Sequence, residues 1–250
     1  MLSGDDRARD DWARRRGAFP AAGTLHRPGR SRTIGAMAPR ILYLHGFGSG
    51  PRSTKGTAVA AHFAERGHQV DRLDLRVPSL ETLRLSAMLD RAGAAIGDAQ
   101  DRAIVIGSSL GGLTAARLAE RDARVMALVL LAPAFNLVDR WREQLGPAWD
   151  EWERTGWRDI VDYTTGQPAR LDFGFTRDVA QIDIGLPDVR VPTLILHGTQ
   201  DETVPVERSR RFANGRRNVR LVELEDGHEL TASLPHILRE ATSFLAPWLP

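Results

Sequence analysis

AIVIGSSLGGLTAARLAE, residues 103–120, is the stretch on which the fold turns. An apolar run of strand length, Ala103–Gly107, gives way to an Ala/Leu-rich run of helical character. The junction spells G-x-S-x-G, with Gly107, Ser109 and Gly111 in the fixed places and Gly112 following. A side chain held on so sharp a strand-to-helix turn adopts a strained backbone. The residues two before and two after it must lack a Cβ for strand and helix to meet. Ser109 has glycine at both places, whereas Ser108 has Ile106 and Leu110. Ser109 is therefore the nucleophile candidate, and Ser108 is not.

A serine hydroxyl needs a base, and the base needs an orienting carboxylate. Downstream, TLILHGTQDETVP (193–205) sets Asp201 on a loop just past an apolar strand, and RLVELEDGHEL (220–230) does the same for His228. Glu202 and Asp226 are nearby rivals for the carboxylate role. The chain order Ser109, Asp201, His228 is that of the α/β-hydrolases. Each residue follows the carboxyl end of a predicted strand, so a parallel sheet brings all three to one edge.

Acyl transfer also requires donors for the oxyanion. The first predicted strand runs into ILYLHGFGSGPRSTKG (41–56), whose H-G-F-G turn aims the backbone N–H of Phe47 at the serine. The N–H of Leu110 is the natural second donor. His45 reads as a structural hydrogen-bonder beneath this loop. Nucleotide binding is rejected, because Pro51 stands where a third phosphate-loop glycine is needed and no G-x-x-x-x-G-K-[ST] surrounds Lys55. His45, His197 and His228 have no H-x-x-x-H spacing and no carboxylate cluster at ligand spacing, so neither a metal nor any other cofactor is expected. Serine in the nucleophile position disfavours dehalogenase and epoxide-hydrolase chemistry, which runs through an aspartyl ester.

Outward from this centre, apolar runs at 41–45, 69–75, 103–107, 125–131, 193–197 and 219–224 read as strands, several of them apolar on both faces. Helical stretches near 56–66, 80–96, 110–120, 205–213 and 233–246 alternate with them, which implies right-handed crossovers and a doubly wound, mostly parallel sheet of about six strands. Residues 135–185 break the rhythm. They show no apolar strand pattern, and their VDRWREQLGPAWDEWERTGW (138–157) predicts two short helices broken at Gly146–Pro147. We read them as a small helical lid inserted after the fourth strand, with Trp141 as a roof residue over Ser109 and Trp149, Trp152 and Trp157 as packing residues.

Length and composition fit one globular α/β domain at 39–250: 250 residues, 42% hydrophobic and 26% charged. No apolar run approaches the roughly 18 residues of a spanning helix. The absence of cysteine removes disulfides, Cys-ligated zinc, iron–sulfur clusters and thiol nucleophiles. A cytoplasmic location is expected, as cysteine-free chains suit a reducing compartment. Residues 1–38 carry eight arginines against four aspartates and hold the whole basic excess, since the remainder has 26 basic and 28 acidic residues. This segment lacks periodicity and is expected to be a disordered extension, with Met37 the natural start. With its charge so confined, the chain is expected to bind no nucleic acid.

The segments YLHGFGSGPRSTKG, IGSSLGG, LLAPAF, HGTQDETVP and DGHELTASL, in this order, resemble the small bacterial α/β-hydrolases of the YqiA/YcfP-like esterase group over about residues 39–248. A weaker similarity to acyl-protein thioesterases lies in GSSLGG and HG-x-x-D-x-x-VP. The resemblance implies a serine esterase fold without a leading antiparallel hairpin and a spatial strand order 2-1-3-4-5-6. The expected function is hydrolysis of carboxylic esters through an acyl-enzyme, with a small-molecule substrate and a preference for neutral, short-to-medium acyl groups beneath the aromatic roof. Hydrolysis of thioesters or acyl conjugates by the same triad is the alternative within the class. A catalytically silent hydrolase-fold binding protein is the alternative outside it.

Overall fold

Ile41, Leu42, Tyr43 and Leu44 are four consecutive buried side chains, the pattern of a strand covered on both faces. In the computed structural model, which describes residues 38–249, they form β1 (Arg40–Leu44). With β2 (Val70–Leu73), β3 (Ala103–Ser108), β4 (Val125–Leu131), β7 (Thr193–Gly198) and β8 (Val219–Leu224), it builds a six-stranded sheet in the order β2-β1-β3-β4-β7-β8. Every pairing in it is parallel. Counting only these strands, the order is the 2-1-3-4-5-6 that the resemblance implied. The predicted disordered arm, but for its last residue, and the expected start at Met37 lie outside the described residues.

The strand alternation divides the interior into two cores. Leu42, Leu44, Val105, Leu128, Leu130 and Ile195 enter one, and Ile41, Tyr43, Ile104, Ile106, Val129 and Leu194 enter the other. The first is closed by α2 (Leu85–Ile96) and α3 (Leu110–Arg121). The buried positions of α2 (Leu85, Met88, Leu89, Ala92 and Ile96) recur at the spacing of one helical face. The second is closed by α1 (Thr54–Ala64) through Val59 and Phe63, and by α8 (Leu234–Leu245) through Ile237, Ala241 and Leu245. The helix predicted from residue 80 begins only at Leu85, because residues 80–84 form a turn whose Glu81 carbonyl accepts from Asp172 N–H. Between β7 and β8 runs α7 (Glu207–Ala213).

The insertion contains more than helices. The two expected short helices are present as α4 (Leu137–Leu145) and α5 (Pro147–Thr155), with Pro147 in the first turn of the second, where its missing N–H costs nothing. A hairpin follows, of β5 (Trp157–Asp162) and antiparallel β6 (Gln167–Asp172), and then α6 (Gly174–Ile182). The purely helical reading of 135–185 is corrected here. In β5 the outward Trp157, Asp159 and Val161 alternate with the half-buried Arg158, Ile160 and Asp162, so each face mixes charged and apolar residues and the sequence shows no period-two contrast. Trp149 and Trp152 pack as expected, each edge-on to Phe173 with ring centroids 5.3 Å apart. Trp157 does not: it is 41% exposed on the outer hairpin face, with the Arg170 guanidinium 5.0 Å from its ring centre.

Two polar anchors hold the insertion to the sheet domain. Arg84 grips Asp172 through two 2.7 Å hydrogen bonds. Asp183 accepts from Leu137 N–H at 3.1 Å and from Arg117 at 2.8 Å, tying the two ends of the insertion to α3. Burial pushes the Asp183 carboxyl up, against the pull of the Arg117 guanidinium.

Candidate active site

The end of β3 is shaped by what its neighbours lack. A Cβ on Gly107 would run into the carbonyl of Gly111, and one on Gly111 into the carbonyl of Leu44, so no side chain fits at either place. Between them Ser109 is forced to φ 53°, ψ −116°. Its backbone is pinned from both sides: Ser109 N–H donates to Leu131 O at 2.8 Å, and Ser109 O accepts from Gly112, Leu113 and Ala134. Such strain persists only where the surroundings fix it.

Onto Ser109 converge the two other predicted residues. His228 Nε2 stands 3.0 Å from Ser109 Oγ, and His228 Nδ1 stands 2.8 Å from Asp201 Oδ2. Burial alone would raise the Asp201 carboxyl, but hydrogen bonds from His197, His228 and Val204 N–H outweigh it and hold the group well below the usual carboxylate range. Asp201 is thus an anion that can only accept. His228 therefore carries its proton on Nδ1 and turns the Nε2 lone pair towards the serine hydroxyl. The rivals lie elsewhere: Asp226 caps its own loop by accepting from Gly227 and Ser233 N–H, both at 2.8 Å, and Glu202 is exposed.

The glycine loop after β1 lies against the serine, since a Cβ on Gly46 would come within 3.4 Å of Ser109 Cβ. Among the described residues, the N–H groups of Phe47 and Leu110 have no hydrogen-bond partner. His45 is a structural group as expected. Its Nε2 accepts from Leu75 N–H at 3.0 Å and its Nδ1 donates to Gly46 O at 2.9 Å, while burial lowers its pKa and keeps the ring neutral.

Ser109 and His228 open into a cavity of about 570 Å³. One wall is aromatic, where Trp141 meets Phe47 edge-on at 5.3 Å and Phe175 at 5.7 Å. A second space of about 430 Å³ continues behind Trp141, between Trp152, Ile160 and Leu171.

Two residues beside the triad escaped the sequence reading. His197 is fully buried, with Nε2 2.8 Å from Val204 O and 3.1 Å from Asp201 Oδ2. A carbonyl only accepts, so Nε2 bears a proton, and Nδ1 meets Ser209 Oγ at 2.7 Å. The signal was its place four residues before Asp201 at the end of a strand. Arg140 lies 4% exposed in the cavity wall, concealed in sequence as one more charge on a polar helix. Among the described residues, no group of three or more His, Asp or Glu side chains could hold a metal ion, and no helix is long and apolar enough to cross a membrane.

Residues 40–246 match the protein family described as uncharacterised protein family UPF0227. The chain belongs to this family. The match bears out the resemblance carried by the five ordered segments. No curated protein sequence matches the chain. Among solved structures, mouse alpha/beta hydrolase domain-containing protein 10 superposes with a TM-score of 0.70 at 21% identity, over 90% of this chain and 99% of that one. Est1E of Butyrivibrio proteoclasticus with bound ferulic acid gives 0.72 at 24% identity, over 87% and 92%. A monoacylglycerol lipase of Paleococcus ferrophilus gives 0.61 at 18% identity, over 84% and 96%. These likenesses establish the α/β-hydrolase fold.

Proposed function

We propose that the protein is a serine carboxylic-ester hydrolase. The observation that carries this reading is the continuous hydrogen-bond chain from Ser109 Oγ through His228 to Asp201. Ser109 attacks the ester carbonyl as His228 Nε2 takes its proton, and Asp201 holds the resulting imidazolium. The N–H groups of Phe47 and Leu110 receive the oxyanion. His228 returns the proton to the departing alcohol, leaving an acyl-Ser109 ester. A water activated by the same histidine then releases the acid. Residues Trp141 and Phe47 offer the acyl group an aromatic wall, which suits neutral, short-to-medium chains. The fold is shared with structures named as the esterase domain of a Rhodothermus marinus protein and a monoacylglycerol lipase, in keeping with ester chemistry.

The test is a panel of acyl esters and thioesters assayed with the wild type and with Ser109→Ala. Turnover is expected on the esters, and the substitution should lower kcat by up to about 10⁶-fold, as it does in a serine protease whose triad acts as a unit. Substantial hydrolysis by folded Ser109→Ala would refute the nucleophile assignment. Turnover confined to thioesters would move the substrate class.

A further inference from the structure

Beside its aromatic rings, the lining of the cavity around Ser109 carries Arg52, Lys55 and Arg140 against the single acid Glu229. The charge of Lys55 is matched, since Nζ donates to Glu229 O at 2.9 Å and lies 3.0 Å from Glu229 Oε2. That of Arg140 is not. Its Nη1 donates to Thr203 O at 2.6 Å and to Gln144 Oε1 at 3.3 Å, both uncharged acceptors. Its buried Nε has no partner, and among the described residues neither does Nη2. No carboxylate lies within ion-pair reach of it there. A guanidinium this deeply buried ordinarily has an anion opposite.

We propose that Arg140 is an anion-binding residue of the substrate site, and that the natural ester carries a carboxylate or phosphate group on its alcohol half. This rests on the ester-hydrolase reading and narrows it: the acyl half stays neutral, and the charge belongs to the leaving group. The assignment of halves follows from the loops. Arg140 is fastened to Thr203 O, and Thr203 N–H donates to Asp201 Oδ1 at 2.9 Å. Lys55 is fastened to Glu229 O, the residue after His228. Both cations, one from α4 and one from α1, are thus tied to the acid and histidine loops, where the departing alkoxide collects its proton from His228. The aromatic wall of Trp141 and Phe47 lies between the insertion and the oxyanion loop. Burial lowers the Arg140 pKa to about 10, with Asp201 only partly offsetting it, so the group remains a cation that gains from a bound anion at neutral pH. Of the two unused nitrogens Nε is sealed from the cavity, so Nη2 is the one whose N–H groups can reach the oxygens of a carboxylate or phosphate.

The experiment compares one acyl group on matched aryl leaving groups: phenyl butyrate, its meta-carboxyphenyl analogue and its meta-phosphophenyl analogue. The wild type should prefer an anionic ester, and the better of the two identifies the anion. In Arg140→Gln the anionic-to-neutral ratio of kcat/KM should fall about 10- to 100-fold, the range for a hydrogen bond to a charged group, while Arg140→Lys retains part of it. Equal losses on charged and neutral esters in both variants would overturn the proposal and leave Arg140 as a strut for the acid loop. A second readout is independent of turnover: meta-hydroxybenzoate and inorganic phosphate are titrated into Ser109→Ala and followed by tryptophan fluorescence. Saturable binding that disappears in Ser109→Ala/Arg140→Gln supports the anion site even if no ester is hydrolysed, in which case the hydrolase reading fails alone. No binding of either anion, with no preference among the esters, would also overturn the proposal.

Discussion

Asp201→Asn changes one atom, and the surroundings dictate the consequence. Four donors converge on the carboxylate: Thr203 N–H at 2.9 Å and Val204 N–H at 2.7 Å on Oδ1, His228 Nδ1 at 2.8 Å and His197 Nε2 at 3.1 Å on Oδ2. Asparagine has one acceptor oxygen and one NH₂. The backbone donors cannot turn away, so the oxygen takes the Oδ1 place and the NH₂ faces the imidazoles. His228 must then present a lone pair at Nδ1, which moves its proton to Nε2 and leaves no base facing Ser109. The same tautomer error costs about 10⁴ in kcat in a serine protease, or about 5.5 kcal/mol of barrier. The loss of the His197 contact should also destabilise the fold by about 1–3 kcal/mol. The native carboxyl lies below its unfolded value of about 3.9, so this stability is present above that pH and is lost as the pH falls below it. Steady-state hydrolysis at neutral pH and urea unfolding at neutral and acid pH are the assays. A folded Asp201→Asn protein with more than about a tenth of wild-type kcat/KM would refute the orienting role. A stability gap that does not narrow below about pH 4 would refute the electrostatic account.

Trp141→Ala should change KM and kcat unevenly across acyl lengths, with the largest effect on the chains that reach the space behind it; identical kinetics on every ester would assign Trp141 to packing alone. Gly107→Ala should cost about 3 kcal/mol or more, because the added Cβ meets backbone that no rotamer can move; near-wild-type unfolding would contradict the close strand–helix approach. Arg117→Leu leaves the Asp183 carboxylate, 2% exposed, without its cation and should cost about 3–5 kcal/mol in urea unfolding; a neutral effect would show that the insertion is held otherwise.

The sheet was legible because its four inner strands are buried on both faces and so read as near-continuous apolar runs, from Ile41–Leu44 to Thr193–His197. The hydrogen-bonded set of Ser109, His228 and Asp201, our candidate triad, was legible because glycine spacing singles out Ser109 and because chain order and strand ends select Asp201 and His228. The β5–β6 hairpin was not, as its faces mix Trp157 with Asp159 and Ile160 with Arg158, which erases the alternation. Nor was Trp157's exposure, for an isolated tryptophan does not reveal which face of a strand carries it. The roles of His197 and Arg140 depend on contacts with Val204 and Thr203, made by folding a loop back onto a helix and a strand end. No periodicity encodes such contacts.

The account turns on Ser109 as an activated nucleophile, and active-site labelling addresses that most directly. The intact protein is treated with a fluorophosphonate, weighed by mass spectrometry and mapped by peptide digestion. The expected result is a single adduct on Ser109, absent from Ser109→Ala and formed far more slowly in His228→Ala. A folded wild-type protein that forms no adduct, or forms it on another residue, would contradict the account.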